Sequence, residues 1–184
     1  MDIKYKLDKT INCIEDLKNC TEILNEISRV CVNSIKSGGK IIFCGNGGSA
    51  ADSQHLAAEL VVKYKKVRNA IPAIALTTDT SILTAIGNDI GAESIFERQL
   101  EAIGKKGDVI IGISTSGNSK NIINTLNRAK KMGLKTIAFT GADGGAVKET
   151  ADIVLRVPSN ITNNIQEMHI ICGHILCEII EENI

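Results

Sequence analysis

The chain opens on a long stretch of helical patterning. Apolar residues recur at Ile3, Leu7, Ile11, Ile14, Leu17, Leu24, Ile27, Val30 and Ile35, close to the 3.6-residue period of an amphipathic helix. Residues 3 to about 37 are enough for two helices, and the polar Lys18-Asn19 followed by Thr21 is the natural joint. Ser37-Gly38-Gly39 closes the stretch, because glycine accepts the left-handed conformation at a helix C-terminus. Beyond it, short apolar runs alternate with helical ones. Runs at 40–44 (KIIFC), 73–76 (AIAL), 108–114 (DVIIGIS), 135–140 (KTIAFT) and 152–157 (DIVLRV) predict five strands. Helices are predicted from Ser49 to about Tyr64, Asp79 to about Ile86, Glu93 to Ile103, Ser119 to Met132 with Gly133 as the stop, and from about Ile161 onward. Apolar strands separated by helices predict an α/β fold, a five-stranded parallel sheet covered on both faces. The pattern reads as a single domain over 1–184, with an N-terminal helical segment at 1–37 and an α/β core with a C-terminal helix at 38–184.

Composition narrows the function classes. Lys plus Arg and Asp plus Glu both total 21, a formal balance that argues against bulk electrostatic binding of nucleic acid. Aromatics make up 3%, too few for a stacking platform along a single strand. No apolar run approaches the length of a membrane span, and the charged start MDIKYKLDKT lacks the core of a signal peptide. The expected location is the cytoplasm. Six cysteines without a CxxC pair fit that compartment as reduced, mostly buried thiols.

Two loops carry unusual chemistry. Cys44-Gly45-Asn46-Gly47-Gly48-Ser49-Ala50 follows the first strand, and its glycines let backbone approach a ligand ahead of a helix N-terminus. It matches G-x-G-x-x-A formally. The acidic residue of a dinucleotide site is missing at the expected distance, where the chain is basic around Lys65. A sugar or phosphate contact, a nucleotide site and a purely structural turn are all compatible with it. The second loop, Ser114-Thr115-Ser116-Gly117-Asn118-Ser119, holds four hydroxyl groups in six residues before a helix. A helix cap needs one or two. Four hydroxyls with free N–H groups suit a phosphate held without a cation.

Only three histidines exist. His55 and Glu59 are i, i+4 neighbours on the helix after the glycine loop, so they share a face, as metal ligands, as base and orienting partner, or as a solvated pair. His169 and His174 lie five apart on the last, strongly apolar helix, with Gln166 three residues before His169. Spacing does not choose between these two histidines, and either one could be a core residue.

The ordered set CGNGGSAADSQHLAAEL, Gly87-Asn88-Asp89, GISTSGNS and IQEMHIICGH closely resembles the sedoheptulose-7-phosphate isomerases, also called phosphoheptose isomerases, of the sugar isomerase (SIS) domain family. The resemblance covers nearly the whole chain. It implies a flavodoxin-like SIS domain assembled as a homotetramer with sites at subunit interfaces, acting on a small sugar phosphate and not on nucleic acid or membrane. The implied reaction is aldose–ketose isomerisation of sedoheptulose 7-phosphate to D-glycero-D-manno-heptose 7-phosphate, which feeds bacterial surface heptose in lipopolysaccharide or capsule. The implied metal is zinc, one per subunit, at His55, Glu59, Gln166 and His174. Asn46, Gly47, Gly48, Glu59, Asn88, Asp89, Ser114, Thr115, Ser116, Ser119 and Gln166 stand at substrate-contact positions, and Glu59 and His174 at those of proton transfer. A non-catalytic SIS-domain sensor or partner-binding protein is the alternative, and retention of all four ligand positions argues against it. An isomerase for a different, smaller ketose phosphate is a third reading.

Two features depart from the resemblance. Asn164, after Asn163, occupies a position where relatives often carry a basic residue, and Lys63 stands where some have Arg, losing the bidentate fork. Both bear on substrate preference. Gln166 and His174 are also separated by about 12 Å along a regular helix, and by about 80° around it. That separation predicts entry into one site from different chains, or an irregular helix near Gln166.

Overall fold

The computed structural model describes residues 2–184. Two N-terminal helices, α1 (Ile3–Asp16) and α2 (Thr21–Lys36), meet at a 3-10 turn over Leu17–Cys20, where the polar break predicts the joint. Asp2 caps α1 by accepting from the Tyr5 N–H. There follow β1 (Ile41–Gly45), α3 (Gly48–Val61), β2 (Ala73–Ala75), α4 (Thr80–Asp89), α5 (Glu97–Ile103), β3 (Val109–Ile113), α6 (Lys120–Met132), β4 (Lys135–Thr140), β5 (Ile153–Arg156) and α7 (Thr162–Asn183).

The five strands form one parallel sheet in the order β2-β1-β3-β4-β5. This is a flavodoxin-like order, and its direction reverses between β1 and β3. The loops leaving those two strands therefore diverge to opposite faces and open a crevice at their carboxyl ends. Alternation sorts the core into two layers. Ile41 and Phe43 of β1 pack with α2, α3 and α7 on one face, and Ile42 and Cys44 pack with α5 and α6 on the other. Strands buried on both faces explain the unbroken apolar runs of the sequence. All six cysteines are free, five of them buried.

Three expectations need correction. The helix expected to reach Tyr64 ends at Val61, because the backbone N–H groups of Tyr64, Lys65 and Lys66 are taken by the distant Glu181 carboxylate. The helix expected from Glu93 to Ile103 is a 3-10 turn at Ala92–Ser94 followed by the shorter α5. The helix expected to end near Ile86 runs on to Asp89. A 3-10 turn at Ala146–Glu149, which the apolar pattern does not announce, follows β4.

Helix α1 contributes no buried residue, and its apolar stripe (Ile3, Leu7, Ile11 and Ile14) faces outward. Among the described residues, no helix is long and apolar enough to cross a membrane.

Candidate active site

Both loops lie at the switch point between β1 and β3. The Asn46 and Asn121 amides join them by reciprocal hydrogen bonds of 3.0 and 2.9 Å. Asn121 belongs to the first turn of α6, so the bridge spans the glycine loop and the helix after the serine loop. Ser119 stands at the N-cap position of α6, yet its hydroxyl does not cap the helix. It pairs instead with the Ser114 hydroxyl at 3.0 Å. The hydroxyl surplus noted in the sequence is therefore free of capping work. Gly117 sits at φ +66°, and a side chain there would run into the Gly144 carbonyl. The Gly117 carbonyl accepts from Val147 N–H, and the Asn118 side-chain oxygen accepts from Ala146 N–H. The serine loop is thus clamped on the Gly144-Gly145 turn. A cavity of about 290 Å³ opens beside it, lined by Thr115, Ser116, Asn118, Asp143, Asn160 and Thr162 among others.

Helices α3 and α7 run alongside each other in the same direction. A Cβ on Gly48 would come within 2.7 Å of the Gln166 amide nitrogen, and one on Gly173 within 2.6 Å of Leu56. His55 meets His174 two turns further along, and the segment after α3 meets Glu181 at the end of α7. This close packing needs the small Gly173, and it decides which α7 face looks at α3: the face of Gln166, Gly173, His174, Cys177 and Glu181.

His174 projects from that face. Its Nε2 lies 3.3 Å from His55 Nε2, and His55 Nε2 lies 3.1 Å from Glu59 Oε1. One ligand atom from each of His55, Glu59 and His174 falls within 4.8 Å of the others, with His55 exposed and the other two half-buried. Two imidazoles and a carboxylate converging on one point are a donor set that could hold a metal ion. Asp52, one turn before His55, has a buried oxygen without a partner. Burial pushes its carboxyl up, with His55 opposing.

His169, five residues earlier, points the other way. It is fully buried 5.8 Å from the Phe139 ring, and neither ring nitrogen has a hydrogen-bond partner. Burial drives its imidazole down to about 4, with the Thr140 backbone only partly opposing. The face of α7 that meets the sheet carries His169, and the face that meets α3 carries His174.

Other candidate residues lie apart from the cluster. Gln166 rests on Gly48 at the first turn of α3, beside the glycine loop, and α7 is a continuous helix through both Gln166 and His174. Asn88 and Asp89 occupy the last turn of α4, which starts near the carboxyl end of β2 and carries them about 15 Å away. Asn88 donates to Asp89 at 2.7 Å, and neither bonds to the two loops. Asn164 is buried with its amide turned to Thr10 of α1, whereas Asn163 and Lys63 are exposed. Sequence reasoning missed Asn121 and Tyr64, whose ring lies 5.5 Å from that of His174. An asparagine after a serine loop and a tyrosine after a helix carry no sequence signal for such contacts.

Comparison with known proteins agrees with this geometry. The SIS domain model matches residues 7–141. A phosphoheptose isomerase of Akkermansia muciniphila is 57% identical over 161 residues, covering 88% of this chain and 85% of that protein. One from Clostridium acetobutylicum is 50% identical over 184 residues, covering 100% of this chain and 90% of that protein. The solved phosphoheptose isomerase of Neisseria gonorrhoeae superposes with a TM-score of 0.93 at 40% identity, over 98% of this chain and 97% of that one. That of Francisella tularensis gives 0.95 at 36%, over 98% and 96%. With a family model over most of its length and relatives 50% and 57% identical over 100% and 88% of it, the chain belongs to the SIS domain family and, within it, to the phosphoheptose isomerases.

Proposed function

We propose that this chain isomerises sedoheptulose 7-phosphate to D-glycero-D-manno-heptose 7-phosphate, supplying heptose for a bacterial surface polymer. The observation that carries the reading is the His55, Glu59, His174 cluster, carried by α3 and α7, the two helices that pack together at the glycine loop. Moving a carbonyl from C2 to C1 needs a base for the C1 proton, an acid to return a proton at C2, and stabilisation of the enediolate between them. In this reading the Glu59 carboxylate takes the C1 proton. His174 provides the partner acid. The hydroxyls of Ser114, Thr115, Ser116 and Ser119, with the free N–H groups opening α6, hold the phosphate and fix the reacting end of the chain. Asn46, Gly47 and Gly48 contact the sugar from the first loop, with Gln166 lying on Gly48.

His55, Glu59 and His174 would hold a zinc ion, whose chemistry there is Lewis-acid polarisation of the carbonyl and hydroxyl oxygens. Gln166 would join them as a fourth ligand from a second copy of the chain, since within one copy it lies about two turns of the continuous α7 away from His174, against Gly48. Asn88 and Asp89, which bond to each other and not to the loops of their own chain, would likewise serve a neighbour's substrate. Together with the outward apolar stripe of α1 and the exposure of His55, this supports a homotetramer with sites between subunits. One domain over 1–184 and a cytoplasmic location complete the reading, the latter supported by free thiols.

The test is the reaction run in D2O and followed by NMR. Heptose 7-phosphate carrying deuterium at C2 is the expected product, and Glu59→Gln should bind substrate without forming it. Unchanged turnover in that variant would remove Glu59 from the base role.

A further inference from the structure

Glu181 lies near the end of α7, where a carboxylate has no obvious work. It is 6% exposed, and a buried charge of this kind needs partners. It has four. The backbone N–H groups of Tyr64, Lys65 and Lys66 donate to it at 3.0, 2.8 and 3.0 Å, and Arg68 Nε donates at 3.0 Å. Arg68 also gives its Nη2 to the Glu59 carbonyl at 2.9 Å. A segment with no regular structure is thereby fixed at both ends, against α7 and against the last turns of α3.

Fixing that segment places one side chain. The Tyr64 ring lies against the His174 ring with centroids 5.5 Å apart and planes tilted by 31°. His174 also meets His55 edge-on at 4.9 Å. The imidazole is therefore in contact with two rings. Among the described residues the Tyr64 hydroxyl makes no hydrogen bond, so the contact belongs to the ring alone. The two residues assigned to proton transfer are tied to one buried ion pair: Glu59 through its own carbonyl, His174 through the Tyr64 ring.

We propose that Tyr64 is a positioning residue that holds the His174 imidazole in its working orientation, and that Glu181 with Arg68 is the anchor keeping Tyr64 there. The inference rests on the reading that His174 takes part in isomerisation. It predicts that the ring matters and apolar bulk does not.

Two variants separate those possibilities. Tyr64→Phe keeps the ring and is the rescue variant. Tyr64→Leu keeps packing against the neighbouring core without a ring. For Tyr64→Leu, kcat should fall about tenfold, with KM for sedoheptulose 7-phosphate and the melting temperature near those of the parent. Tyr64→Phe should restore kcat to within about twofold. In parallel, NMR of histidine-labelled protein, assigned with His174→Gln, reads the ring contact directly. The His174 ring resonance should move in Tyr64→Leu and stay in place in Tyr64→Phe. Tyr64→Leu with the kcat of an active parent overturns the inference, and so does an unmoved His174 resonance. If the parent itself shows no isomerase turnover, the proposed function has failed, and the resonance alone decides whether Tyr64 orients His174.

Discussion

Helix α7 has two faces that the sequence makes look alike. Both carry a histidine among isoleucines, leucines and cysteines. One face, with Ile165, Met168, His169, Cys172 and Leu176, is buried in the core over the sheet. The other, with Gln166, Gly173, His174 and Glu181, packs on α3 and the segment after it. His169 is sealed away with both nitrogens unpartnered, whereas His174 meets His55, Glu59 and Tyr64 at the edge of solvent. The difference lies in what the neighbouring element offers. A sheet face supplies only side chains that bury an imidazole; α3 supplies a carboxylate and a second imidazole, and the segment after it the Tyr64 ring.

The sharpest way to break this contrast is to substitute each histidine in turn. His174→Gln should lower kcat by a factor of about 100 or more, in the range of a lost proton-transfer group. His169→Leu should keep kcat within about threefold, since it removes two unsatisfied buried nitrogens and keeps the bulk. It should also alter the acid limb of stability. The folded state holds the His169 pKa at about 4 against an ordinary 6.5. As pH falls through that window the unfolded chain takes up the proton first, so the parent loses stability there and the leucine variant loses less. Equal loss of turnover in both variants, measured at saturating substrate, would contradict the division of the helix.

A smaller effect is expected at Glu181. Burial alone would raise its carboxyl, but three backbone N–H bonds and Arg68 outweigh that and hold it at about 2. A depressed carboxylate stabilises the fold above its unfolded value near 4.5, and that stability is lost as pH falls toward 2. Glu181→Gln should therefore melt lower than the parent at neutral pH, with the gap closing below about pH 4. A gap as wide at pH 3 as at neutral pH would mean that the anchor works through shape alone.

Much of this molecule is legible in its sequence. The parallel sheet follows from apolar runs buried on both faces, and the i, i+4 spacing of His55 and Glu59 already puts them on one face. The four hydroxyls between Ser114 and Ser119 signal more than a cap, and Ser119 indeed leaves the helix uncapped to meet Ser114. What is not legible comes from contacts distant along the chain. Spacing places His169 and His174 at different azimuths without saying which one meets the sheet. Gly173 was the available hint, since a glycine inside an apolar helix marks a close neighbour, here Leu56. The end of α3 at Val61 depends on Glu181, more than 110 residues away, and no local pattern announces it.

If His55, Glu59 and His174 form one metal-dependent isomerisation centre, bound zinc and turnover must be lost and regained together. The most direct test measures bound zinc and turnover of sedoheptulose 7-phosphate together, for the parent before and after chelation, after zinc is restored, and for His55→Ala. The expected result is heptose 7-phosphate from the parent, loss of it with the metal, recovery with zinc, and low zinc occupancy in His55→Ala. A folded parent that forms no heptose 7-phosphate under any metal condition, or full occupancy in His55→Ala, would contradict it.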